Sequence, residues 1–303
     1  MQYPLISEYV QSIIDSQDNL EALSFLEPVL DHNGEPLHSS GAFAVVFKMK
    51  DINTGRFYAL KCFTEDQKNR EDSYGKITEE LSHIESPYLI KVNYFDKEIF
   101  VSSSCTQETE FPVLLMDWVD GTTMESYISN NWQNQNVMEW LNYRFCKMAS
   151  WLRSQQFAHG DIKPDNIMVG AKGNLVLIDY DGMYVPAMKG QNSPTLGSRD
   201  FSHPLRSVSD FNETIDDFSL ASIALSLKLL SLDTDLYVTY ASSDGMLFRK
   251  TDYLNLANSK IFTVIHEYLD DKDLCKLLAN FLSAYAQKDL SLHSFRNFLI
   301  SRP

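Results

Sequence analysis

Apolar residues open the chain at helical spacing. Ile6, Tyr9, Val10, Ile13 and Ile14 recur every three or four positions and predict a helix over residues 5–14. Leu20, Leu23, Leu26 and Leu30 extend this into a helical or mixed lead-in, and the segment DHNGEP, residues 31–36, is a turn by composition. From Leu37 to Phe63 the texture becomes β-rich. The runs AFAVVFKMK and RFYALKCF, separated by DINTG, predict a hairpin. A polar, acidic helix over Glu71–Ile84 follows and is stopped by Pro87, and the runs YLIKVNYF and FPVLLMDWV predict two further strands. After Gly121 the period turns helical again, first in MESYISNNW and then in VMEWLNYRFCKMASWLRSQ, where Trp140, Tyr143, Phe145, Met148, Trp151 and Leu152 carry the apolar face. Near the end, LCKLLANFLSAY and LHSFRNFLI read as packed core helices. The pattern therefore predicts an α+β fold, a β-rich part followed by a helix-rich part, with no internal repeat.

Composition narrows the class. A chain of 303 residues, 44% hydrophobic and 22% charged, is globular, with room for one large or two smaller domains. The charge sum, 26 − 41 = −15, repels phosphate backbones and anionic lipid, which argues against nucleic-acid and membrane-surface partners. Cys62, Cys105, Cys146 and Cys275 are scattered without CxxC spacing, the pattern of reduced thiols in a cytoplasmic protein. The seven histidines form no zinc-binding spacing, and no apolar run is long enough for a membrane span.

The chemistry is concentrated in His159-Gly160-Asp161-Ile162-Lys163-Pro164-Asp165-Asn166, followed after a glycine turn by Leu175-Val176-Leu177-Ile178-Asp179-Tyr180-Asp181-Gly182. Upstream stand Ser39-Ser40-Gly41-Ala42-Phe43-Ala44-Val45-Val46, then Tyr58-Ala59-Leu60-Lys61, then Leu114-Leu115-Met116-Asp117-Trp118-Val119. From about residue 37 onward these motifs resemble the protein kinase superfamily, in the eukaryotic-like serine/threonine form found in bacteria. The resemblance implies a two-lobed fold, a small antiparallel sheet lobe with one helix joined to a mainly helical lobe. It divides the chain into an extension over 1–36, an N-lobe over 37–116, and a hinge with C-lobe over 117–303. It also implies ATP in the cleft between the lobes, Mg²⁺ as cofactor and a protein substrate.

Phosphoryl transfer needs positioning and countercharge more than covalent chemistry, and that logic assigns the residues. By resemblance Asp161 is the catalytic carboxylate, Lys163 neutralises the transferred group, and Asn166 and Asp179 supply hard oxygen ligands for the metal. Lys61 is the point charge for the α and β phosphates, with Glu80 of the following helix as its partner, chosen over Glu79 because it shares a face with Ile77. Ser39, Gly41, Ala44 and Val46 of the phosphate loop, Ala59 of the strand, and Met116, Asp117 and Val119 of the hinge complete the implied ATP site. Asp216, in DDFSLA, is expected to anchor the catalytic loop backbone.

Several positions depart from the family pattern. Only the middle glycine, Gly41, of the phosphate loop is kept. Gly160 stands where many members have arginine, so activation through a phosphorylated loop is not expected. Asp181 takes the place of the glycine in DFG, and Leu205, in Gly197-Ser198-Arg199-Asp200-Phe201-Ser202-His203-Pro204-Leu205, takes that of a glutamate. Ser193, Thr195 and Ser198 are the first places to look for autophosphorylation, with Ser198 better read as a contact to the substrate hydroxyl. A small-molecule kinase of the aminoglycoside or choline type and a nucleotide-binding pseudokinase are the alternatives. The acidic surface favours a neutral or basic peptide acceptor.

Overall fold

A computed structural model describes residues 2–41, 43–67, 69–288 and 298–303; most of the LHSFRNFLI stretch lies outside them. The chain divides into two compact units, Met1–Glu85 with Ile90–Val119, and Ser86–Leu89 with Asp120–Pro303.

The first unit contains helices α1 (Ile6–Ile14) and α2 (Ser16–Asn19), strands β1 (Leu26–Pro28), β2 (His38–Ser40), β3 (Ala44–Asp51) and β4 (Phe57–Phe63), helix α3 (Arg70–Ser82), and strands β5 (Val92–Phe100) and β6 (Glu110–Asp117). The strands form an antiparallel sheet in the order β1-β3-β4-β6-β5, with β2 also beside β3. Period-two alternation puts Val45, Phe47 and Met49 in the core, while Val46, Lys48 and Lys50 on the other face are half-exposed. The expected hairpin is closed by Asp51, whose carboxylate accepts the N–H groups of Asn53 and Thr54 at 2.8 and 3.1 Å.

The lead-in is woven into this unit. β1 pairs with β3, Leu20 bridges to Ile99, and the Tyr9 hydroxyl donates to Phe63 O at 2.7 Å. Tyr9, Ile13 and Leu26 have no exposed surface, each a burial of roughly 1.5–3 kcal/mol for the aliphatic side chains. Glu98 accepts the N–H of Leu23 at 2.7 Å, and Glu8 accepts from Ser103 and Ser104. The hydrogen bonds from Ser104, with those from Leu5 and Ser103, hold the Glu8 carboxyl down at about 2.

Two sequence expectations shift. The helix expected over Glu71–Ile84 runs from Arg70 to Ser82 and buries Arg70, Tyr74 and Ile77, while Leu81 and Ile84 are half-exposed. The strand expected from Tyr88 starts at Val92 instead. Tyr88 belongs to the second unit, where its carbonyl accepts Leu177 N–H at 2.8 Å and its ring lies 5.2 Å from that of Trp151.

The second unit contains β7 (Gly121–Thr123), α4 (Met124–Asn131), α5 (Gln135–Leu152), β8 (Ile167–Gly170), β9 (Leu175–Leu177), α6 (Asp217–Leu232), α7 (Asp235–Tyr240), α8 (Lys250–Leu254), α9 (Lys260–Val264) and α10 (Lys272–Gln287). The strands make a small antiparallel sheet, β7-β8-β9. α6 is buried almost all round and packs on α5 and α10, the arrangement of a central core helix. Phe281 of α10 meets Phe218, Phe248, Tyr253 and Phe262 at ring separations of 5.7, 6.0, 5.9 and 5.2 Å. No helix among the described residues is long and apolar enough to cross a membrane.

Candidate active site

In the first unit the sheet register gathers the sequence-identified residues. Ser39 pairs with Val46, Val46 with Lys61, and Lys61 with Leu114, while Ala44 pairs with Phe63 and Ala59 with Met116. Directly opposed residues share a face, as do residues two apart on one strand. Ser39, Ala44, Val46, Ala59, Lys61 and Met116 therefore lie on one face of the sheet, with Lys61 only 6% exposed. Gly41 closes the β2–β3 loop by donating its N–H to Ala44 O at 2.9 Å. Gly41 does not adopt a left-handed φ, and neither do Ser39 and Ala44, so the loop as folded here needs no glycine at the two positions where the family pattern has one. Asp117 ends β6, its N–H bonded to Lys91 O at 3.2 Å, and Val119 is the last residue of the unit. Glu80 lies half-exposed on α3, three residues after buried Ile77.

In the second unit the His159–Asn166 motif is a loop held by its own polar groups. Pro164 opens a short turn over Pro164–Asn166, consistent with its fixed φ at a helical first position. The Asn166 amide donates to Asp161 O at 2.9 Å and to its carboxylate at 3.3 Å, and Lys163 Nζ lies 3.9 Å from the same carboxylate. Asn166 O accepts Ile178 N–H at 3.0 Å, which sets Asp179 directly after a residue bonded to Asn166. Asp179 itself has φ +65°, a left-handed backbone rare outside glycine and a form of strain met at functional sites. His159 fastens both halves: Nε2–H donates to Ile178 O at 2.8 Å, and Nδ1 accepts Asp161 N–H at 3.4 Å. Beneath the loop, buried Asp216 accepts His159 N–H at 2.6 Å and Gly160 N–H at 2.8 Å, the anchoring expected of it. Burial pushes its carboxyl up, opposed by the interaction with His159, these two donors and Arg206.

With Nδ2 engaged by Asp161, Asn166 keeps Oδ1 free as an acceptor, and together with Asp179 it offers two oxygen donors suited to Mg²⁺. No group of three or more His, Cys, Asp or Glu among the described residues is arranged to hold a metal ion. A fully protein-built cage is not needed for an ion that binds through one or two carboxylates and phosphate oxygens.

The protein kinase domain family matches residues 39–230, well over half of the chain. The chain belongs to that family. Among its relatives, cAMP-dependent protein kinase type 3 of Saccharomyces cerevisiae is 24% identical over 245 residues, 79% of this chain and 56% of the relative. Aurora kinase of Eremothecium gossypii is 27% identical over 194 residues, 62% of this chain and 50% of the relative. The serine/threonine-protein kinase cek1 of Schizosaccharomyces pombe is 23% identical over 203 residues, 65% of this chain and 14% of the relative. The chain thus spans about half or less of the length of most of the curated relatives it matches.

The departures of this kinase domain acquire physical reasons. Gly160 is more than a missing arginine: its φ is +82°, and a Cβ there would lie 1.9 Å from Gly182 O. The HGD and DYDG variants are therefore coupled, two glycines letting the catalytic loop and the following segment touch backbone to backbone. An arginine is nonetheless present at the loop, supplied by the stretch over residues 183–206 that takes the place of the family's activation segment. Arg206 donates from Nη2 to Gly160 O at 3.0 Å, Thr195 O at 3.3 Å and Ser193 Oγ at 3.4 Å. Sequence reasoning passed over Arg206 because it belongs to no motif and its partners lie up to 46 residues away. Gly197, at φ +69°, turns the segment so that Ser198 N–H donates to Asp161 Oδ1 at 2.9 Å. Ser198 therefore meets Asp161 through its backbone, beside the carboxylate expected to orient the acceptor hydroxyl. Ser193 is 5% exposed with its hydroxyl donating to Thr195 O at 2.6 Å, so its place among the autophosphorylation sites is withdrawn. Leu205 is 70% exposed; the segment is instead anchored by His203, whose Nε2–H donates to Tyr285 O at 2.9 Å.

Proposed function

We propose that this chain is an ATP-dependent serine/threonine protein kinase that transfers the γ-phosphoryl group to a protein hydroxyl. The observation that carries the proposal is the Asp161 carboxylate, held at once by the Asn166 amide, by Lys163 and by the Ser198 N–H of the activation segment. Such an arrangement fixes a carboxylate in one orientation and sets the peptide-docking segment beside it, which a kinase for small alcohols does not need. The serine/threonine names of the relatives and Lys163 two residues after Asp161 support the acceptor class.

In this proposal Asp161 orients the acceptor hydroxyl and takes its proton, and Lys163 carries countercharge for the transferred group. Lys61, on the same sheet face as Val46, Ala59 and Met116, binds the α and β phosphates while those apolar neighbours flank the base. Ser39, Gly41 and Ala44 cover the phosphates, the backbone of Asp117 and Val119 pairs with the base edge, and Glu80 stays a proposed partner of Lys61. Asn166 and Asp179 would hold Mg²⁺, which supplies neutralisation of phosphate charge. Most of the rate enhancement then comes from groups already in place before reaction. The four cysteines are free thiols, in keeping with a cytoplasmic setting.

The test is Asp161→Ala. Phosphoryl transfer is expected to fall by at least about 10²-fold, the usual contribution of a positioned base, while binding of a fluorescent ATP analogue is unchanged. Full transfer activity in the variant overturns the assignment.

A further inference from the structure

A hollow of about 400 Å³ opens on the second unit between α5, the turn joining β8 to β9, and Tyr88. It is built of rings and cations: Tyr88, Trp140 and Tyr143 with Arg144, Lys147, Lys172 and Arg302. Trp140 and Tyr143 meet edge to face at 5.9 Å, with the Arg144 guanidinium 5.6 Å and that of Arg302 5.4 Å from the Trp140 ring centre. Lys147 Nζ lies 5.8 Å from the Tyr143 ring. Gly173, at φ +74°, leaves room for the Arg144 guanidinium in this position, since a Cβ there would displace it.

The charge of the hollow is opposite to that of the chain. Four cations converge in a protein of net charge −15, no carboxylate lines the space, and none of the four is ion-paired among the described residues. We propose that this hollow binds a short acidic segment of a partner protein carrying an apolar or aromatic residue. Guanidinium and ammonium groups take the carboxylates, Arg144 and Arg302 in forked geometry, and the exposed ring surface takes the apolar side chain. A nucleic acid fits less well. The adjoining hollow, which shares Arg302, sets Glu139, Asp270, Asp271 and Asp273 against only two further cations, Lys228 and Lys272, and so does not continue the basic patch for a longer polyanion. The site is also apart from the catalytic loop: Asn166 and the Lys172 turn stand at opposite ends of β8, a strand of four residues spanning about 13 Å. Occupancy here therefore leaves Asp161 free, and the proposal does not depend on whether the chain transfers phosphate.

The test is fluorescence anisotropy on the full chain with a labelled peptide of glutamates around one phenylalanine. Saturable binding that weakens with added salt is expected, because exposed charges are screened. Lys147→Glu with Lys172→Glu, both on exposed side chains, should weaken binding by at least about tenfold, roughly 1.4 kcal/mol, without changing the unfolding midpoint. Arg302→Glu, also exposed, provides an independent variant with the same expected direction. A matching lysine peptide should not bind, and a single-stranded oligonucleotide of equal charge should bind more weakly than the acidic peptide. Wild-type affinity in both variants, or tighter binding of the oligonucleotide or the lysine peptide, overturns the proposal.

Discussion

At Gly160 two constraints meet that are separable by experiment. Gly34 shares its φ of +82° but has no atom within 4 Å of a Cβ position, whereas a Cβ on Gly160 would overlap the Gly182 backbone. Gly34→Ala should therefore cost only the left-handed backbone, about 1–2 kcal/mol. Gly160→Ala should cost more than about 4 kcal/mol, because neither backbone can yield without moving the catalytic loop. Thermal unfolding of the two variants measures the difference, and equal midpoints would contradict the close approach. Glu125 gives a pH dependence. Its hydrogen bond with Asp165, its burial and the charges of Asp165 and Asp244 push it up to about 7 from an ordinary 4.5, with Lys163 opposing. A raised carboxyl holds its proton more tightly in the folded state, so its stabilising contribution is complete below pH 4.5 and is lost as pH rises through about 7. Denaturant titrations across that window should show stability falling with pH in the wild type and a flatter profile in Glu125→Gln. Residues of this kind divide by how visible they are in sequence. Asp161, Lys163 and Asn166 were legible because they bond to one another within a few positions. Gly160 was legible only as a departure, since its reason is the carbonyl of a residue 22 positions later.

Among the elements, the activation segment is tied down without phosphate. The Arg206 guanidinium bonds to the catalytic loop through Gly160 O and to its own segment through Thr195 O. Arg206→Met leaves those carbonyls without this donor, a loss of roughly 1.5–3 kcal/mol for a charged hydrogen bond. Turnover should fall, and trypsin should cleave at Lys189 and Arg199 faster than in the wild type, while phosphatase treatment of the wild type leaves its activity unchanged. Unchanged cleavage in the variant would contradict the tether. The lead-in makes a parallel point about strands. The helix over residues 5–14 was plain from its period, but β1 is only Leu26–Pro28, too short for any alternation to show. Its existence depends on the edge that β3 offers, which no local pattern announces. Ile13→Ala, at a position with no exposed surface, should destabilise the first unit by about 2–5 kcal/mol and weaken nucleotide binding with it.

For the molecule as a whole, composition foresaw a globular chain, the hydrophobic pattern an α+β one, and the motifs located its chemistry within two units. The sum of charges was less informative than its distribution. A net charge of −15 still allows four cations to converge around Trp140 and Tyr143 and Lys61 to be buried on the sheet face it shares with Leu114 and Met116. The helical spacing of Trp140, Tyr143, Arg144 and Lys147 was readable, but their meeting with Lys172 and Arg302 is tertiary. Transfer of label from [γ-³²P]ATP to serine and threonine peptides, beside a panel of small alcohols, decides whether the Asp161 loop phosphorylates protein hydroxyls. Incorporation into the peptides, dependent on Asp161 and absent from the alcohols, is the expected result. Labelling of the alcohols alone, or of no acceptor by a protein that binds ATP, would contradict it.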